Sequence, residues 1–274
     1  LWVGDGADAV LDNVDCTNAR SNPINGAQRP VGVNIRGDGI GDTVNVTMRN
    51  CVVREYGKGG VVVNFDAHLI MDECTVEGAG HVPLGLAAQN GVQVGFGATC
   101  EVRRTTITNH WYDPATVVAT GMLFFDAGPN VIVEDCNLGN CQAAMYFFGA
   151  PATLNAIVRR NRIHASTYAF TVFDIAGISV TDNSFSVSLS GVQNDVYDTA
   201  VGNTYDNNFY SSMSAPGSYA IPGGGGSSDS NAKPFSSGFG ASFGTALPVG
   251  YAPIDLTLAD FNNDTESDFA ALCQ

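Results

Sequence analysis

The sequence predicts an all-β solenoid, a parallel β-helix followed by an extended Gly/Ser-rich tail. Three observations predict it: a short strand motif recurs eight times, the gaps between copies vary as insertions would make them vary, and charges alternate in sign from copy to copy.

The motif reads apolar, two polar residues, a small or amide residue, any residue, then apolar. Its copies are LDNVDC, MRNCVV, MDECTV, VRRTTI, VEDCNL, VRRNRI, VTDNSF and TYDNNF, with fourth positions Val14, Cys51, Cys74, Thr105, Cys136, Asn161, Asn183 and Asn207. Successive gaps, by subtraction, are 37, 23, 31, 31, 25, 22 and 24, as expected of a coil with fixed strands and variable loops. A second strand motif precedes five anchors (GVVVNF, GVQVGF, GMLFF, AMYFF, AFTVF), so each coil holds at least two strands. These runs are too short for helices and are bracketed by Gly or Asn. A propeller would need periods of about 40 or more.

The charges support the same register. Two residues before the anchors stand Arg49, Asp72, Arg103, Glu134, Arg159 and Thr181; one before stand Asn50, Glu73, Arg104, Asp135, Arg160 and Asp182. Coils stacked at about 4.8 Å would place each arginine between carboxylates. The Arg103/Arg104 and Arg159/Arg160 pairs are therefore read as rungs of a surface ion-pair ladder, not as anion sites.

Segments such as VEDCNL, VRRNRI and VTDNSF resemble the repeat of the right-handed parallel β-helix superfamily, the pectate-lyase-like fold. The resemblance covers residues 1–210 and implies an asparagine ladder at the turn that carries Asn161, Asn183 and Asn207, with Cys51, Cys74 and Cys136 substituting elsewhere. It implies no single function, because this fold hosts lyases, hydrolases, phage spikes and adhesins. Residues 211–252 read as a Gly/Ser/Pro-rich linker or strap. Residues 253–274 contain Asp260, Asn262, Asp264 and Asp268, oxygen ligands at positions one, three, five and nine of a loop, the spacing that wraps calcium. This segment resembles the start of an FG-GAP (VCBS-type) repeat, which implies that those residues bind calcium. Thr265 departs from the pattern by replacing the turn glycine.

Composition bounds the partners. Charged residues make up 14% of the chain, and 12 Lys and Arg against 27 Asp and Glu give a net charge of -15. That charge repels nucleic acid. No apolar run reaches the ~20 residues of a membrane span. The expected setting is extracellular or the cell surface. Seven cysteines leave at least one unpaired within the chain; Cys136 with Cys141, or Cys51 with Cys74, would pair or stack as free thiols.

Strand alternation sends Val61, Val63, Val92, Val94, Met122, Phe124, Met145, Phe147, Phe170 and Val172 inward. It leaves Val62, Gln93, Leu123, Tyr146 and Thr171 outside, with Asn64, Phe125, Phe148 and Phe173 in the next row. These rows hold no carboxylate pair for glycosidic acid/base work and no Lys or Arg to abstract a proton beside a uronate. The face is apolar and aromatic instead, suited to a partner surface, to cover by the tail, or to sugar stacking. The strongest ligand constellation lies in two neighbouring loops, where His81, His110, Trp111, Tyr112 and Asp113 combine a stacking platform, a titratable pair and a carboxylate. The resulting expectation is a non-catalytic structural, adhesive or self-assembling protein with glycan contact. The alternative is a polysaccharide lyase or glycoside hydrolase.

Overall fold

Each repeat of the sequence folds as three short strands joined at tight corners. The computed structural model describes residues 1–234, apart from 5, 26, 28–29, 39–40, 42, 82–86, 113–116, 150–151, 165–167 and 187–194, together with 253–259 and 268–273. The chain divides into two compact units, Leu1–Gly238 and Phe239–Gln274. In the first, one face is an eight-stranded sheet: Trp2–Gly4, Val31–Arg36, Gly59–Asn64, Asn90–Gly95, Thr120–Phe125, Ala143–Phe148, Tyr168–Val172 and Val196–Asp198, all in parallel register. Two further faces carry the strands on either side of the anchors, for example Thr99–Arg103 before Thr105 and Thr106–His110 after it. The architecture is a parallel β-helix, with three strands per coil. The inward residues named above are all buried.

The corner at each anchor explains the motif. The residue before it is in the left-handed region in eight successive coils: Asn13, Asn50, Glu73, Arg104, Asp135, Arg160, Asp182 and Asn207, with φ between 45° and 58°. Asn and Asp tolerate this conformation better than most side chains. The corner's main-chain ladder continues, as in Glu73 N–H to the Arg103 carbonyl (3.2 Å) and Asp135 N–H to the Arg159 carbonyl (3.2 Å). The anchor's own N–H, by contrast, donates to the anchor side chain of the next coil. Cys51 donates to Cys74 Sγ (3.4 Å), Cys74 to Thr105 Oγ1 (3.3 Å), Cys136 to Asn161 Oδ1 (3.0 Å), Asn161 to Asn183 Oδ1 (2.9 Å) and Asn183 to Asn208 Oδ1 (2.9 Å).

The eighth anchor is thus Asn208, one residue beyond the Asn207 of the sequence reading. Asn208 is fully buried, and Asn207 takes the left-handed position instead. The apolar opening of that repeat is Tyr205, in register with Val180, and not Thr204.

Asp229 ends the ladder. It is fully buried and accepts from Asn208 N–H (3.0 Å), Asn208 Nδ2 (2.9 Å) and the Tyr210 hydroxyl (3.1 Å). It lies in the strand Ser228–Pro234, which pairs in parallel with both preceding strands of the last coil and antiparallel with Gly217–Ala220. Residues 217–234, inside the segment read as linker or strap, therefore continue and close the coil.

The charge ladder stands as the sequence predicts. Glu134, only 6% exposed, receives Arg103 Nε (2.6 Å), Arg159 Nε (2.6 Å) and Arg160 Nη2 (3.0 Å). Burial works to raise its carboxyl, but the Arg103 and Arg159 guanidiniums outweigh it and hold the pKa at about 2. That stabilisation is complete above the ordinary carboxylate range and is lost as pH falls toward 2. The six described cysteines are free; Cys51 stacks on Cys74 without a disulfide, and burial pushes the Cys136 and Cys141 thiols up to about 12. The second unit contains an antiparallel hairpin of Pro253–Ala259 and Asp268–Cys273.

Asn183→Ala would strand the buried Asn161 N–H and the Val158 carbonyl that Asn183 Nδ2 serves at 2.9 Å. We expect a loss of about 2–4 kcal/mol in urea unfolding. A loss below about 0.5 kcal/mol would show that the ladder contributes nothing that water cannot replace.

Candidate functional site

The loop constellation is only partly assembled. His81 stacks on Trp111, ring centroids 4.1 Å apart at 28°. Trp111 Nε1 donates to Asn140 Oδ1 (3.1 Å), Asn140 Nδ2 to Asn109 Oδ1 (2.6 Å), and Asn109 Nδ2 to Glu77 Oε1 (3.2 Å). The indole is therefore held on one face and at its N–H, as part of an amide ladder on the flank. Tyr112 is half-buried, and Asp113 lies outside the described residues.

His110 does not join this rim. It is fully buried, with Nε2 against the Tyr56 hydroxyl and Nδ1 3.6 Å from Cys141 Sγ. Strict alternation after the inward Ile107 would turn His110 out. Asn109, at φ 67°, interrupts the alternation with a left-handed residue and turns it in, as Asn140 (φ 49°) does for the buried Cys141 in register with His110 on the next coil. Gly91 makes room for the ring, since a Cβ there would lie 2.8 Å from Nε2. Burial lowers the imidazole pKa to about 3, so His110 is neutral. Among the calcium-loop residues, Asp268 opens the strand Asp268–Cys273, while Asp260, Asn262 and Asp264 lie outside the described residues.

The outer surface of the eight-stranded sheet carries a longer feature. One outward column runs Trp2, Asn34, Val62, Gln93, Leu123, Tyr146, Thr171 and Tyr197, in register across eight coils. The next column contains Arg36, Asn64, Phe125 and Phe148, and Phe173 follows Val172 in the same row. Beyond it, Phe65, Phe96, Asp126 and Asp174 occupy left-handed corners.

Seven rings form a continuous file across these columns. Phe65 meets Phe96 at 5.5 Å, Phe96 meets Phe125 at 5.3 Å, and Phe125 meets Phe148 at 4.7 Å. Tyr146 meets Phe148 at 5.1 Å and Phe173 at 5.6 Å, and Phe173 meets Tyr197 at 5.6 Å. Arg36 closes one end, its guanidinium 4.4 Å from the centre of Phe65. Phe125 stands at 87° to Phe96 and Tyr146 at 70° to Phe148, so these neighbours do not hide both ring faces against each other. The sequence identifies Phe125, Tyr146, Phe148 and Phe173 as outward but misses Phe65 and Phe96, which sit one residue past their strands.

Arg36 is the one charged side chain of the two outward columns among the described residues. The carboxylates nearest in register are Asp126 and Asp174 in the corner column, with Gly149 between them. Asp174 Oδ1 accepts from Thr199 Oγ1 (3.0 Å). Among the described residues, no three His, Cys, Asp or Glu side chains are grouped to hold a metal ion, and no helix is long and apolar enough to cross a membrane.

Fold and surface together define a β-helix with an aromatic outer face. Residues 31–212 match the family described as right handed beta helix region, and the chain belongs to that family. Among solved structures the chain is similar to the Dettilon tailspike protein, at 13% identity and a TM-score of 0.41, covering 77% of this chain and 53% of that one. It is similar as well to pectate lyase Pel9A, again at 13% identity and a TM-score of 0.41, covering 92% of this chain and 66% of that one. This chain thus spans less than two thirds of either. No curated protein matches it.

The buried imidazole predicts a pH dependence. An unfolded histidine takes up a proton near pH 6.5, whereas folded His110 does not until about pH 3, so its neutral burial costs stability as pH falls through that window. Between pH 6 and 5 the wild-type chain should lose up to about 1.4 kcal/mol more than His110→Gln, read from urea unfolding at each pH. Equal losses would place His110 in contact with water.

Proposed function

We propose that this chain is a non-catalytic, extracellular or surface-exposed β-helix rod that holds a polysaccharide along the outer face of its eight-stranded sheet. The file of seven rings carries this reading. Aromatic rings supply apolar, weakly directional contact to sugar C–H faces. The two outward columns lack the paired carboxylates that glycoside hydrolysis needs and the base that lyase chemistry needs.

Self-association belongs to the same proposal. Its support is the exposed apolar side chains of Trp2, Val10 and Val201, which favour association with another apolar surface, and light scattering over a range of concentrations tests it. Calcium is proposed for Asp260, Asn262, Asp264 and Asp268 on the strength of their spacing and of their place between and at the start of the hairpin strands; titration calorimetry with CaCl2 tests it.

One observation favours the enzyme alternative. Asp126 and Asp174 are two coils apart beside the ring file, about 10 Å by coil spacing, near the separation at which inverting glycosidases set their acid and base.

A single experiment separates the two readings. In native gels cast separately with pectate, alginate, xylan, mannan or β-glucan, at least one polymer should retard the chain, and Phe125→Ala with Tyr146→Ala should abolish that retardation. The same polymers should release neither reducing ends nor unsaturated uronates. Turnover that disappears in Asp126→Asn with Asp174→Asn would establish the hydrolase instead, and no retardation by any polymer would reject docking.

A further inference from the structure

We infer that the occupant of the ring file is a neutral glycan lying along the coil axis, and that uronate chains are excluded. This rests on the docking reading above and specifies its ligand. The direction follows from the spacing. Rings on successive coils lie 4.7 to 5.6 Å apart, one coil step each. A ligand that meets them in series must therefore run parallel to the axis, crossing the strands.

The charge of the ligand follows from what lines the file. The inner column carries the partly exposed amides Asn34 and Gln93 between its apolar members, with Thr171 buried and no charged side chain. Amides of this kind both donate and accept, which suits sugar hydroxyls. The outer margin is anionic. Asp126 and Asp174 stand at its corners and Asp66 follows Phe65. Arg36, the single cation of the two columns, already lies over Phe65. A polyuronate on this face would bring a carboxylate at every sugar against those aspartates, in a chain of net charge -15. Like charges at such separations repel, and Arg36 stands at one end of the file only.

Isothermal titration calorimetry of the full chain tests this with six-sugar oligomers, namely cellohexaose, mannohexaose and xylohexaose against hexagalacturonate and hexaguluronate, each in 20 mM and 200 mM NaCl (about threefold different in screening length). At least one neutral oligomer should bind, with an affinity unchanged by salt. Phe125→Leu and Tyr146→Leu, which keep apolar bulk but remove the ring, should each weaken it about tenfold. Neither uronate should bind at either salt. If a uronate binds and the leucine variants weaken it, the docking reading stands and the neutral-ligand inference falls. If every oligomer fails, or if the leucine variants bind as the wild type does, both fall. Unchanged far-ultraviolet circular dichroism of the variants ties any loss to the missing ring.

Discussion

The rod depends on one donor per coil. Where each coil turns at its left-handed corner, the N–H of the following residue is met by a side chain of the next coil, not by main chain. Leaving such a group unpaired in the core costs about 1–3 kcal/mol, so every coil must present an acceptor at that position. This is why the anchors are confined to thiol, hydroxyl and amide side chains over most of the chain. A thiol or hydroxyl anchor returns its proton to the carbonyl two residues earlier, as Cys74 Sγ does to Asp72 (3.2 Å) and Thr105 Oγ1 to Arg103 (2.8 Å). An amide reaches back a full coil, as Asn161 Nδ2 does to the Val133 carbonyl (3.0 Å). Cys51 and Cys136 reach the equivalent carbonyls of Leu11 (3.4 Å) and Val102 (3.5 Å) as well, so asparagine differs in making that tie to the preceding coil with an N–H donor at shorter distance. The final coil has no further amide, and the Asp229 carboxylate takes the last donors.

What can be read in the sequence follows from that constraint. The anchors, the inward alternation and the alternating arginines and carboxylates are legible because each is a local pattern repeated at the coil period. The slip from Asn208 to Asn207 arose where two adjacent asparagines each satisfy the pattern and only the register of Tyr205 with Val180 separates them. His110 escapes the pattern for a different reason: alternation assumes an extended strand throughout, and the left-handed Asn109 turns the chain one residue before it. The closing hairpin was hidden by composition, since Gly, Ser and Pro serve tight turns in a cap as readily as they serve a linker. Its one signal was Asp229, placed 21 residues after Asn208 by subtraction, close to the shortest coil.

The same stacking governs the surface. Parallel register brings equivalent positions of successive coils together, so any property conferred on one column is multiplied along the axis. On the second face that property is charge, and alternation in sign converts a repulsive file into pairs around Glu134 and Asp135. On the first face it is aromatic area, where like beside like is favourable and needs no alternation. The columns differ in what they can tolerate at one coil's distance, and hence in what they can offer to a ligand.

The docking proposed for the ring file would need no rearrangement of the rings. Phe125 has Phe96 on one side and Phe148 on the other, and Phe173 has Tyr146 and Tyr197. Each ring is therefore restrained by its neighbours before a ligand arrives, and immobilising a free side chain costs about 0.5–1.5 kcal/mol that is not spent here. Each coil then adds a small, similar increment to a ligand that spans it, and increments joined within one ligand act together at high effective concentration. Affinity on such a face grows with the length of the chain bound, and weak single-sugar contact is compatible with firm retention of a polymer.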